Sequence, residues 1–215
     1  MKGSDASPYE VGRFPKLTLE RKEKSTHTQK PPFNPIFHDF AASKEMAKIE
    51  EEMTVENFKV YSDGSVMDGG VGAAAVLFKN GREKSMIRMH LGTQVDGHNA
   101  YEAELVGISL ALELIRREIV VEDVMLYGDN QGAFSAIRKL CSEGGHGRAR
   151  EQMILEQLER VSGRHGNILV EIGWIPGHKG IFGMQRADKE AKRSTKRLLM
   201  SNKISPPDCG VCSFR

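Results

Sequence analysis

The spacing of apolar residues changes at Phe58, where the regular part of this chain begins. From that residue onward, short β-branched or apolar runs alternate with glycine-rich turns, which is typical of β-strands. Three strands are expected at residues 58–62, 71–78 and about 84–91. Because the turns between them are short, the three strands are expected to form an antiparallel meander.

An amphipathic helix is predicted after the meander. Its apolar residues recur at spacings of 4, 3, 4 and 3, which is the pattern of one helical face. They are Tyr101, Leu105, Ile108, Leu112 and Ile115.

The remaining pattern predicts, in order, a strand, two helices, a strand and a helix. The two strands are expected at 124–127 and 168–174. The helices are expected at about 131–140, from the glycine-rich break at 144–147 to about 161, and at about 184–199. Strand–helix–strand connections are right-handed and add parallel strands to a sheet. The predicted fold class is therefore α/β, with a five-stranded mixed sheet in which strands 1–3 are antiparallel, strands 1, 4 and 5 are parallel, and helices flank the sheet.

The segments before and after this region differ from it in composition. Residues 1–56 are rich in Lys, Pro, Ser and Thr, and we expect a largely disordered arm or linker there. A folded domain is expected at 57–199, followed by a disordered tail at 200–215.

One short helix is predicted inside the N-terminal arm. Ser43 is a suitable cap for it, and Met46, Ile49 and Met53 follow at helical spacing. The acidic residues 50–52 are expected on its solvent side.

Size, charge and hydropathy exclude several classes of protein. The chain has 215 residues, of which 39% are hydrophobic, enough for one domain with extensions. Its net charge of +2 does not by itself indicate a nucleic-acid binder, although the positive excess lies after Asp188. No apolar run approaches the roughly 20 residues of a membrane span, so no membrane partner is expected.

The three cysteines are too few for a disulfide framework and favour a reduced, intracellular compartment, either nucleus or cytoplasm. Cys209 and Cys212 have the spacing of a zinc pair, but no second Cys or His pair lies beside them. A loose tail is therefore the preferred interpretation of this segment.

Two predicted strands end in an aspartate followed by a turn-forming residue. Asp63 ends the first strand and Asp129 follows the fourth. If these strands are parallel neighbours, both carboxylates lie at the carboxyl edge of the sheet, where α/β proteins form their sites. Two carboxylates that close would repel each other unless a divalent cation neutralised them. The alternative is that each aspartate only starts a turn.

Helical geometry separates two glutamates on the predicted crossover helix. Glu102 and Glu104 lie about 200° apart around the helix and cannot serve the same site. Glu104 borders the apolar face that packs on the sheet, whereas Glu102 better fits a solvated helical position. Glu104 is therefore the candidate site residue.

A fourth acid falls on the buried face of the last predicted helix. Asp188 shares the helical spacing of Met184, Ala187 and Ala191, so it is expected on the buried face. A buried carboxylate needs a partner for its charge. Four acids from four elements are better explained by hard cations than by four independent salt bridges.

Four separated strings resemble the motifs of a known family. They are YSDGS at 61–65, YEAELVGISLAL at 101–112, YGDNQGA at 127–133 and WIPGHKGIFGMQRADKEAK at 174–192. In this order and at these separations they resemble the type 1 ribonuclease H family, especially the domains fused to reverse transcriptases of retroelements that lack long terminal repeats. The resemblance covers about residues 57–199. The segment PPFNPIFHDFAASKEMAKIEEE is similar to the connection before this domain in such elements.

The resemblance implies an endonuclease that cuts the RNA strand of an RNA–DNA hybrid and leaves 5′-phosphate and 3′-hydroxyl ends. The metal-binding catalytic residues would be Asp63, Glu104, Asp129 and Asp188, and His178 would be the catalytic loop histidine. Two Mg²⁺ ions, which Mn²⁺ could replace, would be the cofactors.

The resemblance also implies how RNA is distinguished and which partners are expected. The nucleic-acid-binding residues would be Gly64, Ser65, Asn130 and Gln131, which would read 2′-hydroxyl groups across the minor groove. The partners would be the hybrid and a reverse transcriptase domain in the parent element. We expect a monomer.

Two alternatives remain open at this point. A transposase, integrase or exonuclease uses the same kind of sheet but needs a different pattern of acids. The non-enzymatic alternative is an inactive or weakly active domesticated retroelement remnant that binds nucleic acid or protein. Met184 and Gln185 stand where the family usually has Asn-Glu, and this departure favours lower activity.

Overall fold

The computed structural model describes residues 35–144, 147–177 and 180–196. The predicted tail at 200–215, with Cys209 and Cys212, lies outside the described residues, as do His178 and residues 1–34. The elements within the described residues are β1 (Ile36–Phe37), α1 (Lys44–Met53), β2 (Phe58–Met67), β3 (Gly70–Lys79), β4 (Arg82–Thr93), α2 (Ala100–Arg117), β5 (Asp123–Gly128), α3 (Gln131–Glu143), α4 (Ala149–His165), β6 (Leu169–Trp174) and α5 (Phe182–Ser194).

A single mixed sheet has the strand order β1-β6-β5-β2-β3-β4. Strands β2, β3 and β4 form the antiparallel meander, and β5 and β6 run parallel to β2 on its other side. This confirms the predicted α/β class and the mixed sheet. The predicted number of five strands is wrong, because Ile36 and Phe37 pair in parallel with β6. A strand of two residues is too short to show alternation in a sequence.

Helices cover both faces of the sheet. Helix α2 packs on β2 and β3 and is itself contacted by α3 and α4, whereas α5 packs on the same two strands. Val60 lies in the core beneath α2 and Tyr61 in the core beneath α5. Successive strand residues point to opposite faces, so α2 and α5 lie on opposite sides of the sheet. Among the described residues, no helix is both long and apolar enough to cross a membrane.

Helix α1 forms as predicted, and Glu50 and Glu52 are exposed as expected, but Glu51 and the apolar residues are not placed as predicted. The side-chain oxygen of Ser43 accepts a hydrogen bond from the backbone N–H of Met46 at 3.2 Å. Glu51, expected in solvent, accepts a hydrogen bond from the Tyr61 hydroxyl and is only 12% exposed. The apolar stripe is exposed instead, at Met46, Ile49 and Met53. The sequence pattern located this helix but not its orientation, because the partner of Glu51 lies on β2.

Candidate active site

Asp63 and Asp129 lie side by side just beyond the point where β2 and β5 stop pairing. The prediction that Asp63 ends its strand is wrong, because β2 continues to Met67 through its pairing with β3. The parallel pairing of β2 with β5 sets Tyr61 opposite Tyr127. Two residues further along each chain, this register brings the two aspartates to the same level. The pairing arises because α2 returns the chain across the sheet, as a right-handed crossover does.

Glu104 reaches the aspartates because α2 approaches β2 very closely. A Cβ atom added to Gly64 would lie 2.5 Å from the backbone nitrogen of Glu104, and one added to Gly107 would lie 3.1 Å from the backbone oxygen of Asp63. A side chain at Gly64 would therefore collide with the α2 backbone, and one at Gly107 would make an unusually tight contact with β2. The backbone N–H of Gly64 donates a hydrogen bond to the Glu104 carboxylate, which fixes its direction.

Three of the four predicted acids form a compact cluster, which we call the acidic cluster. Asp63, Glu104 and Asp129 each offer a carboxylate oxygen, and these oxygens all lie within 4.8 Å of one another. Asp188 lies close enough for its charge to act on Asp63. Its carboxylate pairs with Lys192 at 2.8 Å, one turn further along α5. The structure thus brings Asp188 to the site but not into the acidic cluster.

Burial and mutual repulsion disfavour the charged forms of two of these acids. Burial, followed by the charges of Asp129 and Asp188, raises the pKa of Asp63 to about 8. Burial, followed by the charges of Asp63 and Asp129, raises the pKa of Glu104 to about 9, against the lowering effect of the Gly64 hydrogen bond. A cluster that disfavours its own negative charge in this way is suited to a bound cation.

Glu102 is not in solvent, and this part of the prediction is wrong. Its carboxylate pairs with Arg150 on α4 and lies 2.8 Å from Nδ1 of His98, and its side chain is 16% exposed. The helical phase correctly pointed Glu102 away from Asp63. The partner arginine comes from a different helix, so periodicity along α2 could not reveal the pair.

The predicted nucleic-acid-binding residues adjoin the acidic cluster in the chain. Gly64 and Ser65 follow Asp63 on β2; Gly64 is half-buried, and Ser65 is 9% exposed. Asn130 caps α3, where its side-chain oxygen accepts a hydrogen bond from the backbone N–H of Ala133 at 2.9 Å, and Gln131 is exposed. Their role in binding stays a prediction.

Sequence reasoning missed two supports of Asp129. The indole Nε1–H of Trp174 donates a hydrogen bond to the backbone oxygen of Asp129 at 2.9 Å. Gly177 packs so closely on the Asp129 carboxylate that a side chain there would collide with it. The Pro-Gly-His string signalled a loop, but it did not signal which acid that loop would contact. His178, the next residue, lies outside the described residues.

The donors in the acidic cluster fit a hard divalent cation. All of them are carboxylate oxygens, which Mg²⁺ and Mn²⁺ prefer over nitrogen or sulfur. Neutralisation by such an ion would relieve the repulsion that raises the pKa values of Asp63 and Glu104. Asp63, Glu104 and Asp129 are therefore the residues that could hold a metal, with Asp188 beside them.

The match to a protein-family model agrees with this geometry. A search of curated proteins found no match. Among solved structures, the chain is similar to RNase H1 from the halophilic archaeon Halobacterium salinarum, with 17% identity, a TM-score of 0.47, and coverage of 64% of this chain and 96% of that one. The family model described as RNase H matches residues 55–196, more than half of the chain. This match includes β2, α2, β5 and α5, the elements that position the four acids, and the chain belongs to the RNase H family.

Proposed function

We propose that this protein is an endonuclease that hydrolyses the RNA strand of RNA–DNA hybrids and leaves 5′-phosphate and 3′-hydroxyl ends. The observation that carries the proposal is the approach of Asp63, Glu104 and Asp129 to within 4.8 Å at the carboxyl edge of a sheet that matches the RNase H family. Isolated turn-starting aspartates would not be expected to meet a half-buried glutamate from another element.

Each carboxylate has a separate support that suits it to hold a metal. Asp63 is fixed by strand pairing with Ala74 of β3, Glu104 by the Gly64 N–H, and Asp129 by the Trp174 indole. Asp188, paired with Lys192, is the proposed fourth ligand. Two Mg²⁺ ions held there, or Mn²⁺ in their place, would polarise the phosphate, lower the pKa of an attacking water and stabilise the leaving 3′-oxygen.

The residues around the acidic cluster have proposed roles in substrate choice and proton transfer. The backbone at Gly64 and Ser65 and the side chains of Asn130 and Gln131 would contact 2′-hydroxyl groups, which are the feature that distinguishes RNA from DNA. His178, with an imidazole that exchanges protons near neutral pH, would assist proton transfer or product release.

We also propose that the chain derives from a type 1 ribonuclease H domain of a retroelement that lacks long terminal repeats. The support is the set of sequence strings at 61–65, 101–112, 127–133 and 174–192, together with the connection-like segment ahead of the domain. A reverse transcriptase domain would be the partner in the parent element, and the protein itself would act as a monomer.

A substrate panel tests the proposed activity. Purified protein is incubated with end-labelled RNA–DNA hybrid, double-stranded RNA and double-stranded DNA of one sequence, in Mg²⁺ or in chelator. We expect cleavage of the hybrid alone, only in Mg²⁺, with 3′-hydroxyl product ends.

Matched variants exclude a contaminating nuclease. Glu104→Gln should lose most of the turnover, whereas Glu102→Gln, two residues away on the same helix, should cleave nearly as wild type does. Hybrid binding without cleavage by wild-type protein would contradict the nuclease proposal and support the binding-module alternative. Cleavage of double-stranded DNA would instead indicate an exonuclease or integrase type of site.

A further inference from the structure

We propose that Phe40 and Trp174 form a positioning pair that fixes the backbone of Asp129, so that the N-terminal segment 36–40 takes part in forming the acidic cluster. The inference rests on the proposed function of that cluster and adds two residues that contribute no ligand to it. Trp174 is the only tryptophan in the chain.

Trp174 connects the end of β6 to the residue that follows β5. Gly128 and Trp174 are partners in the last register position of the β5–β6 ladder. Asp129 lies just beyond that position, and the Trp174 indole N–H donates to its backbone oxygen at 2.9 Å. The hydrogen bond thus extends the fixed part of the chain by one residue, to the residue whose carboxylate enters the acidic cluster.

Phe40 packs against the indole ring and limits its orientation. The two ring centroids lie 6.4 Å apart, and the rings meet edge to face at 74°. This is a favourable geometry for an aromatic pair. Rotation of the indole away from Phe40 would also move its N–H away from Asp129.

The segment before Phe40 is anchored to the sheet. Ile36 and Phe37 pair in parallel with Glu171 and Ile172 of β6. The backbone N–H of His38 continues this pairing by donating to the oxygen of Ile172 at 2.9 Å. Phe40 therefore lies two residues beyond His38, the last residue of this segment whose backbone is bonded to β6.

Two ion pairs near this segment do not explain the arrangement. His38 lies 2.6 Å from Glu171, and Asp39 lies 2.9 Å from Arg138 on α3. In each pair at least one side chain is exposed, and exposed ion pairs contribute little to stability. The aromatic contact and the indole hydrogen bond are the interactions that reach the acidic cluster.

The test uses the full-length chain with three phenylalanine variants. Phe40→Ala removes the ring, and Phe40→Tyr keeps an aromatic ring in its place. Phe182→Ala is the matched control, because Phe182 is also exposed and also packs edge to face, on Phe78 at 5.9 Å. If Phe40→Ala does not fold, Phe40→Leu keeps the apolar volume without the aromatic ring.

Two measurements on nucleic-acid-free protein separate positioning from general stability. The emission of Trp174 reports the surroundings of the indole. The unfolding temperature, measured over a Mg²⁺ titration, gives the concentration for half-maximal stabilisation by the metal. A residue that only stabilises the fold would lower the unfolding temperature at every Mg²⁺ concentration without moving this midpoint.

We expect Phe40→Ala, or Phe40→Leu, to shift the emission of Trp174 and to raise the Mg²⁺ midpoint by about 3- to 10-fold, the range that one aromatic contact supplies. Phe40→Tyr should restore both values, and Phe182→Ala should leave both unchanged. An unchanged Mg²⁺ midpoint in the Phe40 variants would overturn the inference, and so would an equal shift in Phe182→Ala.

Cleavage of hybrid by wild-type protein is scored separately. If wild type does not cleave but Phe40→Ala still weakens Mg²⁺ binding, the proposed function fails and the positioning pair stands. If wild type cleaves and Phe40→Ala binds Mg²⁺ as wild type does, the positioning pair fails and the proposed function stands.

Discussion

The acidic cluster should destabilise the metal-free protein, and Glu104→Gln should therefore make that protein more stable. Glu104 has a raised pKa, so the folded state holds a proton at neutral pH that the unfolded chain releases. Wild-type stability should fall as pH rises from about 4.5 towards about 9, the pKa of Glu104 in the folded state. Glutamine has no such proton to bind, and its side-chain oxygen can still accept the Gly64 hydrogen bond.

The size of the effect follows from the difference between the two pKa values. At pH 7 the unfolded chain, with a pKa near 4.5, has lost the proton, whereas the folded chain, with a pKa near 9, has kept it. Each pH unit between 4.5 and 7 contributes about 1.4 kcal/mol, so Glu104→Gln should raise the free energy of unfolding by about 3 kcal/mol. For a domain of this size, that corresponds to a rise of about 6 to 12 °C in Tm.

Glu102→Gln is the matched control, with the opposite expected sign. Glu102 lies on the same turn of α2, but it pairs with Arg150 and His98 instead of other acids. Its neutralisation leaves two basic groups with a weaker partner and should lower the free energy of unfolding by about 1 kcal/mol. A general effect of amide substitution on α2 would give the two variants the same sign.

The assay is chemical or thermal unfolding in chelator at pH 4 and pH 7, repeated at pH 7 in Mg²⁺. The gain from Glu104→Gln should be small at pH 4, large at pH 7, and reduced or reversed in Mg²⁺, because the metal stabilises the intact acidic cluster more. A loss of metal-free stability at pH 7 would refute the reasoning. A gain of equal size at pH 4 would refute it as well.

Three further variants test separate parts of the site. Asp129→Asn should abolish hybrid cleavage with an unchanged circular dichroism spectrum, and full activity would remove Asp129 from the proposed ligands. His178→Ala should slow turnover by about 10²-fold without changing the Mg²⁺ requirement or substrate choice. An unaltered rate over pH 6 to 9 would show that His178 has no part in catalysis. Gly64→Ala should lower the free energy of unfolding by about 1 to 3 kcal/mol and remove most of the activity, because its Cβ would force α2 away from β2. Urea unfolding measures the stability, and the cleavage assay measures the activity. A variant with wild-type stability and activity would contradict the close-packing argument.

The sheet and the proximity of Asp63 to Asp129 could be predicted because local signals agree with the tertiary structure, although β2 continues past Asp63 to Met67. Strands β2 and β5 have β-branched and aromatic residues, and the chain between them forms the rest of the meander and then one strongly periodic helix, α2. Those signals determine a parallel pairing, and the pairing brings Asp63 level with Asp129. The choice of Glu104 over Glu102 followed from helical phase, which is also a local property.

Features that depend on contacts between distant segments could not be predicted in this way. The sequence pattern does not indicate that Gly64 packs on the backbone of Glu104 and Gly107 on the backbone of Asp63, although these contacts bring α2 close to β2. The Glu102–Arg150 pair depends on α4 packing against α2. Helical periodicity describes one element at a time and does not identify such partners.

Two N-terminal elements, β1 and α1, pack on the domain although they lie outside the residues that the family model matches. The match begins at residue 55, but α1 lies before it and covers part of the sheet face that α5 leaves open. Tyr61 and Tyr127 stack there at 5.4 Å, with their hydroxyls on Glu51 and Thr54. Burial raises the pKa of both tyrosines. Because Gly183 of α5 packs directly on the Tyr61 ring, the same contacts also support the start of the helix that carries Asp188.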